Sequence, residues 1–196
     1  MMQHKVKLTV IDKKLYPELQ SQYCSDPHAG ACPCYHIGDE FIFERYGTAD
    51  DFWHMGLGTL KQTAHRADGA AGGRAFPHCS EAWDAISRYI YAGLQGGSIM
   101  RGWMKDEKVM IACCSDGTRP VIFKIERLDY RVLSIEGLAR DGCRERVRAA
   151  LAALPPVTEV AFREGAAEVF LSGEVAEEAL KAAVESCGAC TVTKID

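Results

Sequence analysis

Residues 132–195 carry the clearest folding signal of the chain: VLSIEGLARDGCRERVRAALAALPPVTEVAFREGAAEVFLSGEVAEEALKAAVESCGACTVTKI. Apolar residues recur at helical spacing in two segments, which predicts helices over Cys143–Leu154 and Glu174–Ser186. Short apolar runs around these helices predict four strands. The predicted strands are Val132–Ile135, Thr158–Phe162, Ala167–Leu171 and Thr191–Ile195.

The β-α-β-β-α-β order of these segments is the arrangement of ferredoxin-like domains. This pattern begins near Asp129, so a domain boundary is expected there. We expect one domain over residues 1–129 and a second over residues 130–196. The expected fold class is therefore α+β, with an N-terminal α/β domain rich in cysteine and a C-terminal ferredoxin-like domain.

The N-terminal part of the chain also has strand and helix patterns. The turn Ser115–Pro120 contains Asp-Gly between apolar runs, which predicts a hairpin. Gly47–Pro77 is predicted to be irregular, with disorder over Asp68–Arg74. The other predicted elements are a strand Lys5–Ile11, a helix Leu15–Tyr23, a strand Glu40–Arg45, a helix from the N-cap Ser80 to Leu94, and strands Val109–Cys114 and Val121–Leu128.

Composition narrows the classes of function. The 196 residues are 47% hydrophobic and 26% charged, which suits a globular protein that fills a core. The net charge of −4 provides no general basic field, so nucleic acid is not an expected partner. The N-terminal residues lack the apolar stretch of a signal peptide, and no long apolar run could span a bilayer. We therefore expect a cytoplasmic protein that does not bind a membrane.

Nine cysteines are the most unusual feature of the composition. An odd number of cysteines in a reducing compartment argues against a disulfide framework. Metal ligation, redox chemistry and simple burial as small apolar side chains all remain open.

Six of these cysteines lie in the N-terminal domain: Cys24, Cys32, Cys34, Cys79, Cys113 and Cys114. Cys32 and Cys34 flank a proline, and their side chains share one face if that segment is extended. Cys79 precedes a predicted helix, whose dipole would favour a thiolate. Cys113 and Cys114 must face opposite sides of a strand, so one is expected in a common site and the other in the core.

Soft thiolates select zinc, copper(I) or iron–sulfur clusters. The six cysteines are therefore candidate ligands of a four-thiolate site formed by Cys24, Cys32 or Cys34, Cys79 and one of Cys113 and Cys114, with iron–sulfur and zinc both open as its cofactor. His36, His54, His65 and His78 could add a nitrogen ligand, although loop histidines are more often solvated.

Several segments of this domain resemble an uncharacterised bacterial family of small cysteine proteins that is common in anaerobes. The resemblance implies no activity. It implies that Cys32, Cys79 and the pair Cys113-Cys114 form the characteristic cysteine set. The similar segments are Cys32-Pro33, Gly38-Asp39-Glu40-Phe41, Cys79-Ser80-Glu81-Ala82-Trp83-Asp84 and residues 113–127, which read CCSDGTRPVIFKIER.

Residues 130–196 resemble the heavy-metal-associated domain of copper chaperones and metal-transport ATPases, notably in the segment 137–143, GLARDGC. In that family the loop reads GMxCxxC and both cysteines bind a soft ion. Here Arg140 stands at the first cysteine position and Cys143 at the second. Because a guanidinium opposes cation binding, the usual site is not expected.

The expected topology offers a second candidate site in this domain. The loop that carries Cys143 and the segment that carries Cys187 and Cys190 would open at the same end of the sheet. Three thiols there could bind copper(I) or zinc, or form a reversible disulfide. Two alternatives stay open: Cys187 is in phase with the core face of its helix, and the domain could serve only to dock a protein partner.

Three functions therefore follow from the sequence. The preferred one is a metal-binding protein without an assigned catalytic role, whose partner is a metal ion. The second is a cysteine-dependent redox enzyme with Cys79 as nucleophile and Gly47–Pro77 as a lid. The third is an interaction module in which the cysteines are structural.

Overall fold

The computed structural model describes residues 2–45, 60–65, 79–188 and 190–196, with residues 60–65 described as backbone. The chain divides into two compact units. One spans Lys5–Arg127, and the other consists of Leu128–Asp196 together with the N-terminal residues up to His4.

The unit Lys5–Arg127 combines a sheet with two helices. Strand β1 leads to α1, β2 and β3, and α2 then precedes β4 and the first half of β5. The strand order is β3-β2-β1-β5, and β4 also pairs with β5. The bounds are β1 Gln3–Lys13, α1 Pro17–Tyr23, β2 Glu40–Arg45, β3 Leu60–His65, α2 Ser80–Leu94, β4 Val109–Cys113 and β5 Val121–Glu136.

The core of this unit lies between the sheet and α2. Val6, Leu8 and Val10 alternate along β1 and are buried, because every second side chain of a strand points to the same face. On α2, Ile86 and Ile90 are four residues apart and face that layer. The sheet and the helix therefore bury one continuous apolar cluster.

The unit Leu128–Asp196 contains the second half of β5 followed by a helix, two strands, a helix and a strand. Its strand order is β8-β5-β7-β6, and each neighbouring pair is antiparallel. Leu133, Leu151 and Leu180 belong to its buried core. The bounds are α3 Cys143–Ala152, β6 Val157–Arg163, β7 Ala166–Leu171, α4 Glu177–Glu185 and β8 Thr191–Ile195.

The structure confirms a mixed α+β protein with a mostly antiparallel sheet. It also corrects three predictions. The predicted strands Val121–Leu128 and Val132–Ile135 are one strand, β5. The stretch Gly47–Pro77 contains a strand, β3, and the predicted disorder at Asp68–Arg74 lies outside the described residues.

The third correction concerns α2, whose N-cap is Cys79 rather than Ser80. The prediction of no membrane-spanning segment agrees with the helices that the structure describes, none of which is both long and apolar enough to cross a bilayer.

Candidate functional site: two groups of cysteine thiols

The segment that carries Cys32 and Cys34 is tied to the end of β1. The Lys13 ammonium donates to the backbone oxygens of Cys32 at 2.6 Å and of Tyr35 at 2.7 Å. Nearby, the buried Asp39 carboxylate accepts a hydrogen bond from the backbone N–H of His36 at 2.8 Å. These contacts fix the backbone on which the two thiols are mounted.

Strand alternation separates the cysteine pair at the end of β4. Cys113 is exposed, whereas Cys114 has only 7% of its surface accessible. The Cys114 sulfur accepts a hydrogen bond from the backbone N–H of Val121 at 3.3 Å. The expectation that the pair faces opposite sides is confirmed, and one member, Cys114, belongs to the core cluster. Cys113 lies on a face of β4 that is open to solvent.

Cys79 caps the fifteen-residue helix α2, and its carbonyl accepts from the N–H of Trp83 at 3.0 Å. The first turn of this helix is joined to the residue after Cys114, since the N–H of Ser115 donates to the oxygen of Glu81 at 3.2 Å. Two distant parts of the sequence are thereby held side by side.

Four thiols come together as a result, and we call Cys32, Cys34, Cys79 and Cys114 the N-terminal thiol group. Cys32, Cys34 and Cys79 pack against the core cluster that contains Cys114. Cys32 and Cys79 both raise the pKa of the Cys34 thiol, and Cys32 also raises that of Cys114, so the four thiols lie near enough to influence one another. Three separate segments contribute to this one group.

Burial raises the pKa of two thiols of this group, Cys34 and Cys114. It raises the pKa of Cys34, and the neighbouring Cys32 thiol raises it further. It also raises the pKa of Cys114, although the hydrogen bond from Val121 works in the opposite direction. The pKa of the Tyr35 hydroxyl is raised far above its ordinary value, first by burial and then by the surrounding thiols.

Arg119 brings positive charge to the N-terminal thiol group. Its Nε donates to the Asp116 carboxylate at 3.0 Å, and this hydrogen bond is the main reason that the pKa of Arg119 is raised. Cys32 and Cys34 raise it further. Asp116 also accepts from the N–H of Thr118 at 2.9 Å, so it organises the hairpin turn and orients the guanidinium.

Two predicted ligands lie apart from this group. Cys24 ends α1, and in the described ranges no contact joins its thiol to the other sulfurs; the same holds for the exposed Cys113. Among the histidines, His36 lies at the surface, with Nδ1 3.9 Å from Asp39 Oδ2. His54 and His78 lie outside the described residues, as does the side chain of His65.

Cys143, Cys187 and Cys190 form a second set, which we call the C-terminal thiol group. Cys143 is the first residue of α3 and is fully buried, and Cys190 directly precedes β8 with 4% of its surface exposed. The two thiols hydrogen-bond, and Cys187 interacts electrostatically with Cys190. Burial and then Cys143 raise the pKa of Cys190.

Arg146 is the charged neighbour of this second group. Its Nη2 donates to the Cys143 sulfur at 3.2 Å. Sequence reasoning missed this contact, although the two residues are three positions apart on a helix and therefore share a face. Tyr35 was missed as well, and only its position next to Cys34 could have indicated its place among the thiols.

Within the ranges that the structure describes, no three or more histidine, cysteine, aspartate or glutamate side chains are arranged so that they could hold a metal ion. Zinc or an iron–sulfur cluster at the first group, and copper(I) or zinc at the second, therefore stay predictions.

No family model, no curated protein and no solved structure matches the chain. The resemblances to the cysteine-protein family and to heavy-metal-associated domains therefore also stay predictions.

Proposed function

We propose that the protein binds a soft metal centre, zinc or an iron–sulfur cluster, through the thiolates of the N-terminal thiol group. The convergence of Cys32, Cys34, Cys79 and Cys114 from three segments carries this proposal. Four thiolates are the full ligand set of a tetrahedral structural zinc site or of a cubane cluster.

The raised pKa values of Cys34 and Cys114 argue against either sulfur as a catalytic nucleophile. A catalytic thiol needs a lowered pKa because only the thiolate attacks. Burial instead raises the pKa of Cys34 and Cys114, so these sulfurs keep their protons until a cation replaces them. A bound metal supplies that compensating charge.

Arg119 suits a site of this charge. A zinc ion with four thiolates is doubly negative overall, so a nearby guanidinium lowers the cost of placing it beside an apolar core. Because Asp116 already orients Arg119, the cation is held in place before the metal arrives.

Binding requires the thiols to turn towards one point. Rotation about the single side-chain torsion of a cysteine moves its sulfur by about 3 Å between staggered positions. The backbone beneath the sulfurs stays fixed, because Lys13 anchors the Cys32 segment and Ser115 anchors the Cys114 segment to α2. Closure of the site by side-chain rotation is part of this proposal.

For the unit Leu128–Asp196 we propose a ferredoxin-like domain. The β-α-β-β-α-β order of its elements and the antiparallel strand order β8-β5-β7-β6 support this assignment.

Elemental analysis of the full chain purified without oxygen tests the metal proposal. We expect either one zinc per chain in colourless protein, or iron and sulfide with visible thiolate charge-transfer absorption. Cys79→Ser should lower the metal content severalfold because it removes one of four ligands. Cys24→Ser is the matched control and should leave the metal content unchanged.

A metal-free protein that also takes up neither Zn²⁺ nor a reconstituted cluster would refute the proposal. The second candidate function is a thiol enzyme, and the position of Cys79 at the N-terminus of α2 favours it. In that case Cys79 would react with iodoacetamide much faster than the other thiols of the metal-free chain.

A further inference from the structure

The fold brings Cys143 and Cys190 to one edge of the second unit. Glu136, near the end of β5, pairs with Thr191 at the start of β8. Cys190 precedes Thr191 directly, and Cys143 opens the helix that follows β5. The two cysteines are distant in sequence, yet both side chains belong to the same buried core cluster.

The two thiols are neighbours and are not bonded to each other. Both cysteines are free and belong to the buried core of the unit, and after burial Cys143 is the neighbour that does most to raise the pKa of the Cys190 thiol. A disulfide requires two cysteines that lie close together and face each other. The buried placement of these two thiols in one cluster suits that requirement.

The surroundings give the two thiols different roles. The Arg146 guanidinium donates to the Cys143 sulfur at 3.2 Å, and a hydrogen bond from a cation is stronger when the acceptor is a thiolate. The contact with Arg146 therefore marks Cys143 as the nucleophile, which leaves Cys190 as the resolving thiol.

We propose that Cys143 and Cys190 form a dithiol–disulfide couple that small peroxides oxidise. This is a redox function separate from the metal centre proposed for the N-terminal thiol group.

The chemistry balances with the peroxide as oxidant. The Cys143 thiolate attacks one peroxide oxygen, so that an S–O bond forms and the O–O bond breaks. The leaving oxygen takes up the proton that Cys143 had lost and departs as water or an alcohol. The Cys190 sulfur then attacks the Cys143 sulfur, an S–S bond replaces the S–O bond, and the released hydroxide leaves as water with the Cys190 proton. Two electrons pass from the two thiols to the peroxide.

The positive charge of Arg146 disfavours a metal ion at the C-terminal thiol group, and the burial of Cys143 and Cys190 favours a small oxidant. Arg146 already donates to the Cys143 sulfur, so a cation bound there would meet a positive charge. Cys143 and Cys190 are almost inaccessible, whereas Cys187 is half-buried. A small peroxide is therefore a better match for the buried pair than a bulky disulfide.

Hydrogen peroxide treatment of the reduced full chain, followed by alkylation, digestion and mass spectrometry, tests the proposal. We expect a peptide pair linked through Cys143 and Cys190, formed equally well in Cys187→Ser. Arg146→Gln should slow its formation about fivefold, because the hydrogen bond to the thiolate loses its charge. Arg146→Lys should restore part of the rate, and Glu145→Gln, on the neighbouring exposed position of α3, should leave it unchanged.

Three results would overturn the proposal: a disulfide between Cys187 and Cys190 in its place, oxidation of Cys187 alone while the buried pair stays reduced, or a stoichiometric metal that the C-terminal thiol group holds and that blocks oxidation. Equal rates for Arg146→Gln and the unsubstituted chain would remove Arg146 from the mechanism. Glu145 and Arg146 are exposed and Cys187 is half-buried, so none of the substituted positions is itself buried and the variants are expected to fold.

Discussion

Replacement of Cys114 by alanine, compared with the same replacement of the exposed Cys113, tests which of the two cysteines belongs to the N-terminal thiol group. The Cys114 side chain is buried, so its loss removes about 1 kcal/mol of apolar burial. The N–H of Val121 also loses its sulfur acceptor, which costs about 1 kcal/mol more. Cys113→Ala, on the solvent side of the same strand, should change the free energy of unfolding by less than about 0.5 kcal/mol. Urea unfolding of the metal-free proteins under reducing conditions measures both values.

The same two variants have a sharper effect on metal affinity. Zinc binding to four-ligand peptides is worth about 10–16 kcal/mol, so one thiolate of four accounts for about 3 kcal/mol. Cys114→Ala should therefore weaken Zn²⁺ binding more than about 100-fold, while Cys113→Ala leaves it unchanged. Competition with a chromophoric chelator gives the two dissociation constants. If both variants bind equally, or if Cys113→Ala is the weaker one, the assignment of Cys114 to the site is wrong.

Two further predictions concern the unit Lys5–Arg127. Because the pKa values of Cys34 and Cys114 are raised, the folded metal-free protein keeps protons that the unfolded chain releases, so its free energy of unfolding should fall as pH rises above about 8.5. Urea midpoints measured between neutral and alkaline pH check this slope, and a flat profile contradicts it. Gly93→Ala places a methyl group 2.6 Å from Val6 Cγ2 and should cost about 1–3 kcal/mol, whereas Gly97→Ala, with no such close contact, should cost little in a thermal melt.

Local patterns were enough to predict most of the elements. Alternation along Val6, Leu8 and Val10 predicted β1, since a half-buried strand needs one apolar face. The predicted bounds of Glu40–Arg45 and Thr191–Ile195 agree with β2 and β8. In these segments the local preference and the tertiary environment favour the same structure, so the sequence alone sufficed.

The elements that were missed depend on partners distant in the chain. Asp129 interrupts the apolar pattern of β5, and aspartate is unfavourable in strands. Its carboxylate oxygen lies 2.8 Å from Nδ1 of His4. This contact offsets the cost of burying the carboxylate in the strand. Strand β3 has few apolar residues and forms by pairing with β2. The residues next to Asp129 do not reveal its contact with His4, and the residues of β3 do not reveal its pairing with β2.

The candidate site shows the same limit. Alternation established that Cys113 and Cys114 face opposite sides, but which side is buried depends on where α2 packs. The cysteine count and the fold topology indicated that thiols would gather, yet they gave no information about the charged neighbours. Asp116 and Arg119 lie in a turn, and Arg146 lies on an exposed helix face, where charged residues are common.

These charged neighbours are what distinguish the two thiol groups. Arg119 is engaged by the Asp116 carboxylate and acts on Cys32 and Cys34 through space, so it compensates a negative centre without occupying a sulfur. Arg146 donates directly to the Cys143 sulfur and thereby takes a place that a metal ion would need. The first group offers four sulfurs and a nearby cation that Asp116 holds, which suits metal ligation, and the second offers a neighbouring pair and a cation bonded to one sulfur, which suits disulfide chemistry. Since each group lies in its own compact unit and has its own cation, loss of one chemistry by substitution should leave the other intact.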